Sequence, residues 1–227
     1  MPSFNILREV TAPDSFRVNA LLSKFDLQSS HVKEEFRGEI PIEGEDWNIG
    51  IIYGRSGTGK STIAKELFPN GYIRGFGYKS KNILDDMPES CSTTEIFRIF
   101  NSVGFSSPPS WLKPFSCLST GEKMRVDLAR AILEQKDFIV FDEFTSVVNR
   151  EIARVGSAAI AKAIRRMNKR FIAVSCHEDI IPWLEPDWTF CTNTMTFEKK
   201  TLNARQLSYK STNAQEAFGI PFANITI

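Results

Sequence analysis

The sequence predicts an α/β domain with a largely parallel central sheet flanked by helices, and three observations predict it. Three short, uncharged apolar runs have strand length: IGIIY at 49–53, FIVF at 138–141 and FIAVS at 171–175. Unbroken apolarity, rather than alternation, is the pattern of strands buried on both faces. Helical patterns separate the runs, at 61–68, 119–135 and 150–168, which is the alternation of a layered α/β domain. A glycine-rich turn, GRSGTGKST at 54–62, links the first run to the first helix.

The chain has 227 residues, enough for one sizeable domain with a real core, and residues 1–227 read as that single domain. Lys and Arg number 28 against 27 Asp and Glu, a net charge of +1, so bulk charge announces no nucleic-acid partner. No apolar run approaches the length of a membrane span, and MPSFNILREVTAPDSF lacks a signal-peptide core. Cys91, Cys117, Cys176 and Cys191 are scattered, with no C-x-x-C pair. That suits reduced thiols in the cytoplasm better than a disulfide frame or a zinc site. Residues 205–227 are polar with Gly and Pro, the composition of a loosely packed tail.

The first strand, in WNIGIIY, runs into Gly54–Thr62, which fits G-x-x-x-x-G-K-[ST] with Gly54, Gly59, Lys60 and Ser61. Strand, glycine loop and helix in that order form the context of a phosphate-binding loop. The glycines let backbone N–H groups of the Arg55, Ser56, Gly57 and Thr58 stretch close around a polyphosphate, and the helix N-terminus adds partial positive charge. Lys60 is the side chain to reach the β- and γ-phosphates, and Ser61 the one to hold Mg²⁺. The expected ligand is a nucleoside triphosphate.

Between 69 and 118 the chain becomes rich in Gly, Ser and Pro, with one helical candidate, TTEIFRIFNSVGF at 93–105. This reads as an insertion lobe carried on the sheet, and Trp111 in SSPPSWLKPF is expected to pack within it. In CLSTGEKMR, Ser119 and Glu122 have capping-box spacing, and Met124, Leu128 and Ile132 form one helical stripe. Gly121 in the first turn costs helix stability, which implies a close approach to the backbone there.

The second strand ends in Asp142-Glu143. An acid at that place suits a Mg²⁺ contact through water at Asp142 and a general base acting on water at Glu143. In the helix at 150–168, an apolar stripe is expected at Ile152, Val155, Ala159, Ala163 and Met167. Lys162, Arg165, Arg166 and Lys169 share another face, which reads either as a phosphate-tracking surface or as a solvated face.

The ordered set GRSGTGKST, LSTGEKMRVDLARAIL, FIVFDEFTSVVN and FIAVSCH, spanning about residues 36–180, resembles the ABC-type ATPases. FTSVVN looks like the family's D-loop and His177 like its switch histidine. The resemblance implies a P-loop fold with a reduced helical lobe, ATP and Mg²⁺ as cofactors, and a head-to-tail homodimer. Each signature loop, Ser119, Thr120, Gly121 and Glu122 here, then closes with Asn149 on ATP held by the other copy. A side chain at Gly121 would collide with the partner copy's γ-phosphate. In cis, Lys60, Ser61 and Thr62 hold phosphate and metal, Asp142 supports the metal, Glu143 polarises water and His177 contacts the γ-phosphate. Phe25 in SKFDL either stacks on adenine, as the family's upstream aromatic does, or packs in the core.

The departures from the family are informative. No glutamine fills the Q-loop place; KNILDDMPES does, with Asp85 or Asp86 as a candidate metal ligand. Phe144 and Val147 stand for the usual Pro and Ala, Asn149 for Asp, and Thr120 and Glu122 depart within the signature. Hydrolysis is therefore expected to be slow or partner-dependent. The short interval from Asp85 to Ser119 leaves little of the lobe with which transporter subunits grip a membrane partner. That favours a soluble ATPase driving a partner protein over a transporter subunit, with a nucleotide-dependent scaffold of negligible turnover as a further alternative. A small-molecule kinase shares the phosphate loop but has no use for LSTGE. IIPWLEPDWTF and GFSSPPSWLKPF resemble stretches of phage and bacterial stand-alone ABC ATPases found beside GNAT-type acyltransferases. This resemblance implies an acyltransferase partner and a role in DNA modification.

Overall fold

The computed structural model describes residues 3–11, 15–26, 31–73, 75–134 and 138–200, so the expected tail at 205–227 lies outside the described residues. The chain opens with an antiparallel pair, β1 (Ser3–Thr11) and β2 (His31–Glu39), with α1 (Phe16–Lys24) between them. Next come β3 (Ile49–Tyr53), α2 (Lys60–Leu67), α3 (Thr93–Ser102), α4 (Pro108–Trp111), α5 (Thr120–Leu133) and β4 (Phe138–Phe141). α6 (Arg150–Arg166), β5 (Arg170–Ser175), α7 (Ile181–Leu184), β6 (Trp188–Cys191) and β7 (Thr196–Lys199) follow.

The main sheet has the order β4-β5-β3-β6-β7, parallel throughout except for β7. Residues 71–73 add a short parallel bridge outside β4: Ile73 N–H donates to the Val140 carbonyl at 3.0 Å, and Val140 N–H to that of Gly71 at 2.9 Å. The three predicted strands are buried on both faces, as their unbroken apolarity requires. One face, with Ile49, Ile51, Ile139, Phe171 and Ala173, packs against α3, α5 and α6. The other, with Ile52, Val140, Ile172 and Val174, packs against Ile63 and Ala64 of α2 and against Phe4, Phe36 and Phe190.

The stretch 69–118 contributes Ile83, Met87, Ile96, Phe100 and Trp111 to the same apolar cluster as β3 and β4. Trp111 packs as expected: its indole N–H donates to the Phe105 carbonyl at 2.9 Å and its ring stacks on Phe97. The stripe expected on α6 holds in part: Ala163 is buried and Met167 packs against the core, while Ile152 and Ala159 are half-buried. Val155 is 57% exposed, and the buried face runs through Ala153, Gly156, Ser157, Ile160, Ala161, Ala163 and Ile164. So many small residues give the helix two nearly equivalent apolar faces, and packing against Met124 and its neighbours selects the one holding Gly156.

Candidate functional site

Three strand ends share one edge. Tyr53 is in register with Ser175, and Phe141 with Ala173. The loop after β3, the Asp142-Glu143 pair after β4 and Cys176-His177 after β5 therefore leave the sheet side by side. The carboxyl ends of parallel strands are where open α/β sheets bind ligands.

The Gly54–Thr62 loop is held in shape from outside. Gly59 caps α2 with φ +86°, and a Cβ there would lie 2.4 Å from the Phe36 ring of β2. Both facts restrict the position to glycine. The turn between β6 and β7 braces the other limb: Arg55 N–H donates to Asn193 Oδ1 at 2.9 Å, and Thr58 Oγ1 lies 2.5 Å from Thr192 Oγ1. Thr192 is itself bound to the Tyr53 carbonyl, through its N–H at 2.8 Å and its hydroxyl at 3.2 Å. Lys60 folds over the loop, its ammonium donating to the Arg55 carbonyl at 2.6 Å. Gly57 has φ +83° and nothing within 4 Å of a notional Cβ, so the loop's crest is open. Backbone N–H groups, a lysine and a helix N-terminus suit a polyphosphate.

Asp142, at the end of β4, meets a residue with no motif of its own: the Tyr72 hydroxyl donates to Asp142 Oδ2. Burial pushes the Tyr72 phenol above its ordinary range, and its bond to the Asp142 carboxylate adds to the shift. Asp142 Oδ1 accepts the Glu143 N–H at 2.9 Å. Hydroxyl and carboxylate oxygens suit a hard divalent cation. Among the described residues no group of three or more His, Cys, Asp or Glu is placed to hold a metal. Substrate oxygens and water would have to complete any shell here, which is the manner of Mg²⁺.

Glu143 sits in a tight turn. Its φ is +52° and that of Thr145 is +64°, an outlying conformation for a β-branched residue. Phe144 between them explains it. The ring is buried edge-on against Phe141 and Phe171, and its N–H donates to the Val174 carbonyl at 2.9 Å. Drawing Phe144 into the core turns the backbone sharply on both sides and leaves Glu143 exposed at the sheet edge. It also buries the Thr145 hydroxyl without a hydrogen-bond partner. Further on, Arg150 Nε donates to Asp179 Oδ2 at 2.7 Å, and the guanidinium lies over the Trp183 ring. The loop after Glu143 is thereby tied to the segment after His177, whose own N–H donates to Ser175 Oγ at 3.1 Å.

The start of α5 is a complete capping box. Glu122 N–H donates to Ser119 Oγ, and the Glu122 carboxylate accepts both Ser119 donors, at 2.9 and 2.8 Å. Hydrogen bonds from Ser110 and Ser119 hold the Glu122 carboxyl below its usual range. Thr120 is exposed. Gly121 is also tightly neighboured within the chain: a Cβ there would lie 3.3 Å from the Ile152 side chain and 3.7 Å from that of Val148, so α5 and the start of α6 already pack closely at this point. Asn149 is the N-cap of α6, its Oδ1 accepting Ile152 N–H at 2.9 Å.

Asp85 and Asp86 close their own turn: Asp86 accepts the Lys79 and Ser80 N–H groups, and Asp85 accepts the Asn82 amide. The side chain from this part of the chain that reaches Asp142 is Tyr72. Arg165 is not part of an open basic stripe, because it donates to the Leu184 and Glu185 carbonyls and closes α7. Phe25 ends α1 and is 65% exposed, which removes the core alternative; α1 buries none of its residues. Tyr72 and Asn193 carry no local sequence signal beyond a polar side chain near a strand end.

No family model matches this chain. The NU+ prion formation protein 1 of Saccharomyces cerevisiae is 32% identical over 117 residues, covering 42% of this chain and 10% of that protein. Ribosome protection protein VmlR of Bacillus subtilis is 26% identical over 115 residues, covering 42% of this chain and 21% of that protein. The match thus spans only a tenth to a fifth of these curated relatives. Among solved structures, the dimeric post-hydrolysis state of the ATP-binding cassette MJ0796 bound to ADP and Pi superposes with a TM-score of 0.61. It is 12% identical, with 88% of this chain and 99% of that one covered. An inward-facing putative metal-chelate type ABC transporter gives a TM-score of 0.57 at 15% identity, covering 77% of this chain and 81% of that one. The chain has the α/β fold of the ABC-type P-loop cassettes. No helix among the described residues is long and apolar enough to cross a membrane.

Proposed function

We propose that the chain is a single ABC-type ATPase domain that binds Mg·ATP, dimerises around two nucleotides and hydrolyses them to drive or time a partner protein in the cytoplasm. The observation that carries this reading is the convergence of Gly54–Thr62, Asp142-Glu143 and His177 on one edge of a parallel sheet. Lys60 would leave the Arg55 carbonyl for the phosphates, and the N–H groups from Gly57 to Thr62 would receive the remaining oxygens. Ser61 and Asp142 would hold Mg²⁺, which when bound neutralises charge on the transferring phosphoryl group. Glu143, at the end of β4 beside the Phe144 anchor, would orient and deprotonate water. His177 would contact the γ-phosphate, and the exposed Phe25 would stack on the base. Ser119, Thr120, Gly121, Glu122 and Asn149 would present the opposite face to the second copy's nucleotide, through backbone groups and the α5 N-terminus, since the capping box occupies the Ser119 and Glu122 side chains.

A soluble partner fits the small lobe between Asp85 and Ser119 better than a membrane one. The motif resemblance to ABC ATPases beside GNAT-type acyltransferases names an acyltransferase as the first partner to test. DNA is a second candidate, through the exposed Lys162 and Arg166 of α6. One relative is by name a ribosome protection protein.

Glu143→Gln tests the reading. It keeps the side chain's shape but removes the base, so ATP should accumulate uncleaved in a stable dimer. Light scattering should report a doubled mass with Mg·ATP and a monomer with ADP. A monomer under both conditions would refute the dimer mechanism.

A further inference from the structure

We propose that Tyr72 is a positioning residue of the metal–phosphate site, its hydroxyl holding the Asp142 carboxylate in one orientation and so setting how well that carboxylate takes a divalent cation. The proposal rests on the reading of Gly54–Thr62 and Asp142 as a Mg·nucleotide site.

Asp142 is gripped at both oxygens: Oδ2 accepts the Tyr72 O–H, and Oδ1 accepts the Glu143 N–H. Two donors on opposite oxygens stop the carboxylate rotating, while each oxygen keeps a lone pair for water or metal. Among the described residues Asp142 makes no ion pair, and its side-chain donor is Tyr72.

Tyr72 is itself held by rigid parts of the fold. Its backbone bridges Val140, two positions before Asp142, so donor and acceptor ride on neighbouring strands. The Lys65 ammonium of α2 lies 5.1 Å from its ring centroid. The ring also walls a cavity of about 630 Å³ with Lys65, Ile73, Gly75, Asp127 and Asp142, so one side of the site borders solvent-sized space and not packed core. A carboxylate beside such a space needs a tether to keep one orientation, and groups that orient metal-binding residues typically change metal affinity 10- to 100-fold when removed.

The test is a Mg²⁺ titration of fluorescent ATP-analogue binding, with a parallel measurement in EDTA, for wild type, Tyr72→Phe, Asp142→Asn and the double variant. Phenylalanine keeps the ring and its packing, and thermal unfolding checks that it does. Tyr72→Phe should bind the analogue normally in EDTA, while its half-saturating Mg²⁺ concentration rises about tenfold. In the Asp142→Asn background the same change should add nothing, because the group it positions has lost its charge. An unchanged or lowered half-saturation overturns the proposal, the lowered value meaning that the phenol competes with the metal. An equal loss in EDTA and in Mg²⁺ overturns it too, as a packing defect. Wild type that binds no analogue under any condition refutes the nucleotide-site reading and this proposal with it, a result distinct from a normal wild type with a normal Tyr72→Phe.

Discussion

Asn193 lies 138 positions from Arg55 in the chain, yet its side chain accepts the Arg55 N–H at 2.9 Å. Changing Asn193 to Ala removes that acceptor and nothing from the core, since Asn193 and Arg55 are both exposed. The freed N–H meets water, so stability should move by less than about 0.5 kcal/mol. The loop nevertheless loses a tether worth about 0.5–1.5 kcal/mol. Phosphate binding must then supply that ordering, which weakens nucleotide affinity about 2- to 10-fold. Thr192→Val goes further, because Thr192 is only 2% exposed and its hydroxyl serves both Thr58 and the Tyr53 carbonyl. Each of those partners keeps another bond: Thr58 Oγ1 to the Arg55 carbonyl at 2.8 Å, and the Tyr53 carbonyl from Thr192 N–H. The stability loss should therefore stay near 1–2 kcal/mol. Fluorescent ATP-analogue binding measured beside urea denaturation separates the two effects. Wild-type affinity in Asn193→Ala would refute the bracing argument. So would a stability loss above about 2 kcal/mol, since Asn193 would then belong to the fold and not to the loop's support.

Phe144→Ala should cost about 3–5 kcal/mol by denaturant titration, because the ring is 1% exposed and meets Phe141 and Phe171 edge-on; a loss below 1 kcal/mol would mean that it is not an anchor. The Asp127 carboxyl is pushed above its usual range by burial, partly offset by its bond from the Tyr78 hydroxyl and by Arg130. An acid whose folded pKa is raised holds its proton more tightly in the native state, so stability falls as pH rises from the ordinary carboxylate range through the folded value. Asp127→Asn keeps an oxygen for Tyr78 and cannot ionise. It should match wild type at low pH and equal or exceed it at pH 7 in urea titrations, and a loss above about 2 kcal/mol at pH 7 would refute this.

What the sequence made legible was what short spacing encodes. Buried strands announce themselves by unbroken apolar runs, the phosphate loop by its glycines and flanks, and the α5 capping box by Ser119 and Glu122. β1 and β2 escaped notice because they carry many charges, REV in one and KEEFRGE in the other, with Phe4 and Phe36 as their buried rings. The supports of the site were hidden for a different reason. Tyr72 and Asn193 act across 70 and 138 positions of chain, and no local pattern registers a contact made by folding. Gly121 signals a close approach in the sequence, and within the chain the neighbour that comes close is Ile152, a contact no local pattern foretells. Asp85 and Asp86 close a turn in the fold, and a turn-closing carboxylate is spelled like a metal-binding one.

The Phe144 anchor pins the loop after β4 at one point, and Ser146 N–H, donating to the Glu143 carbonyl at 3.0 Å, ties its two sides together. Beyond it the loop runs into α6, whose first residue, Arg150, grips Asp179 and Trp183. One helix start is thus joined both to the turn that carries Glu143 and to the segment that follows His177. Anything that docked on α6 would press on both limbs at once, so a single contact far from the phosphate loop could register on two strand ends together.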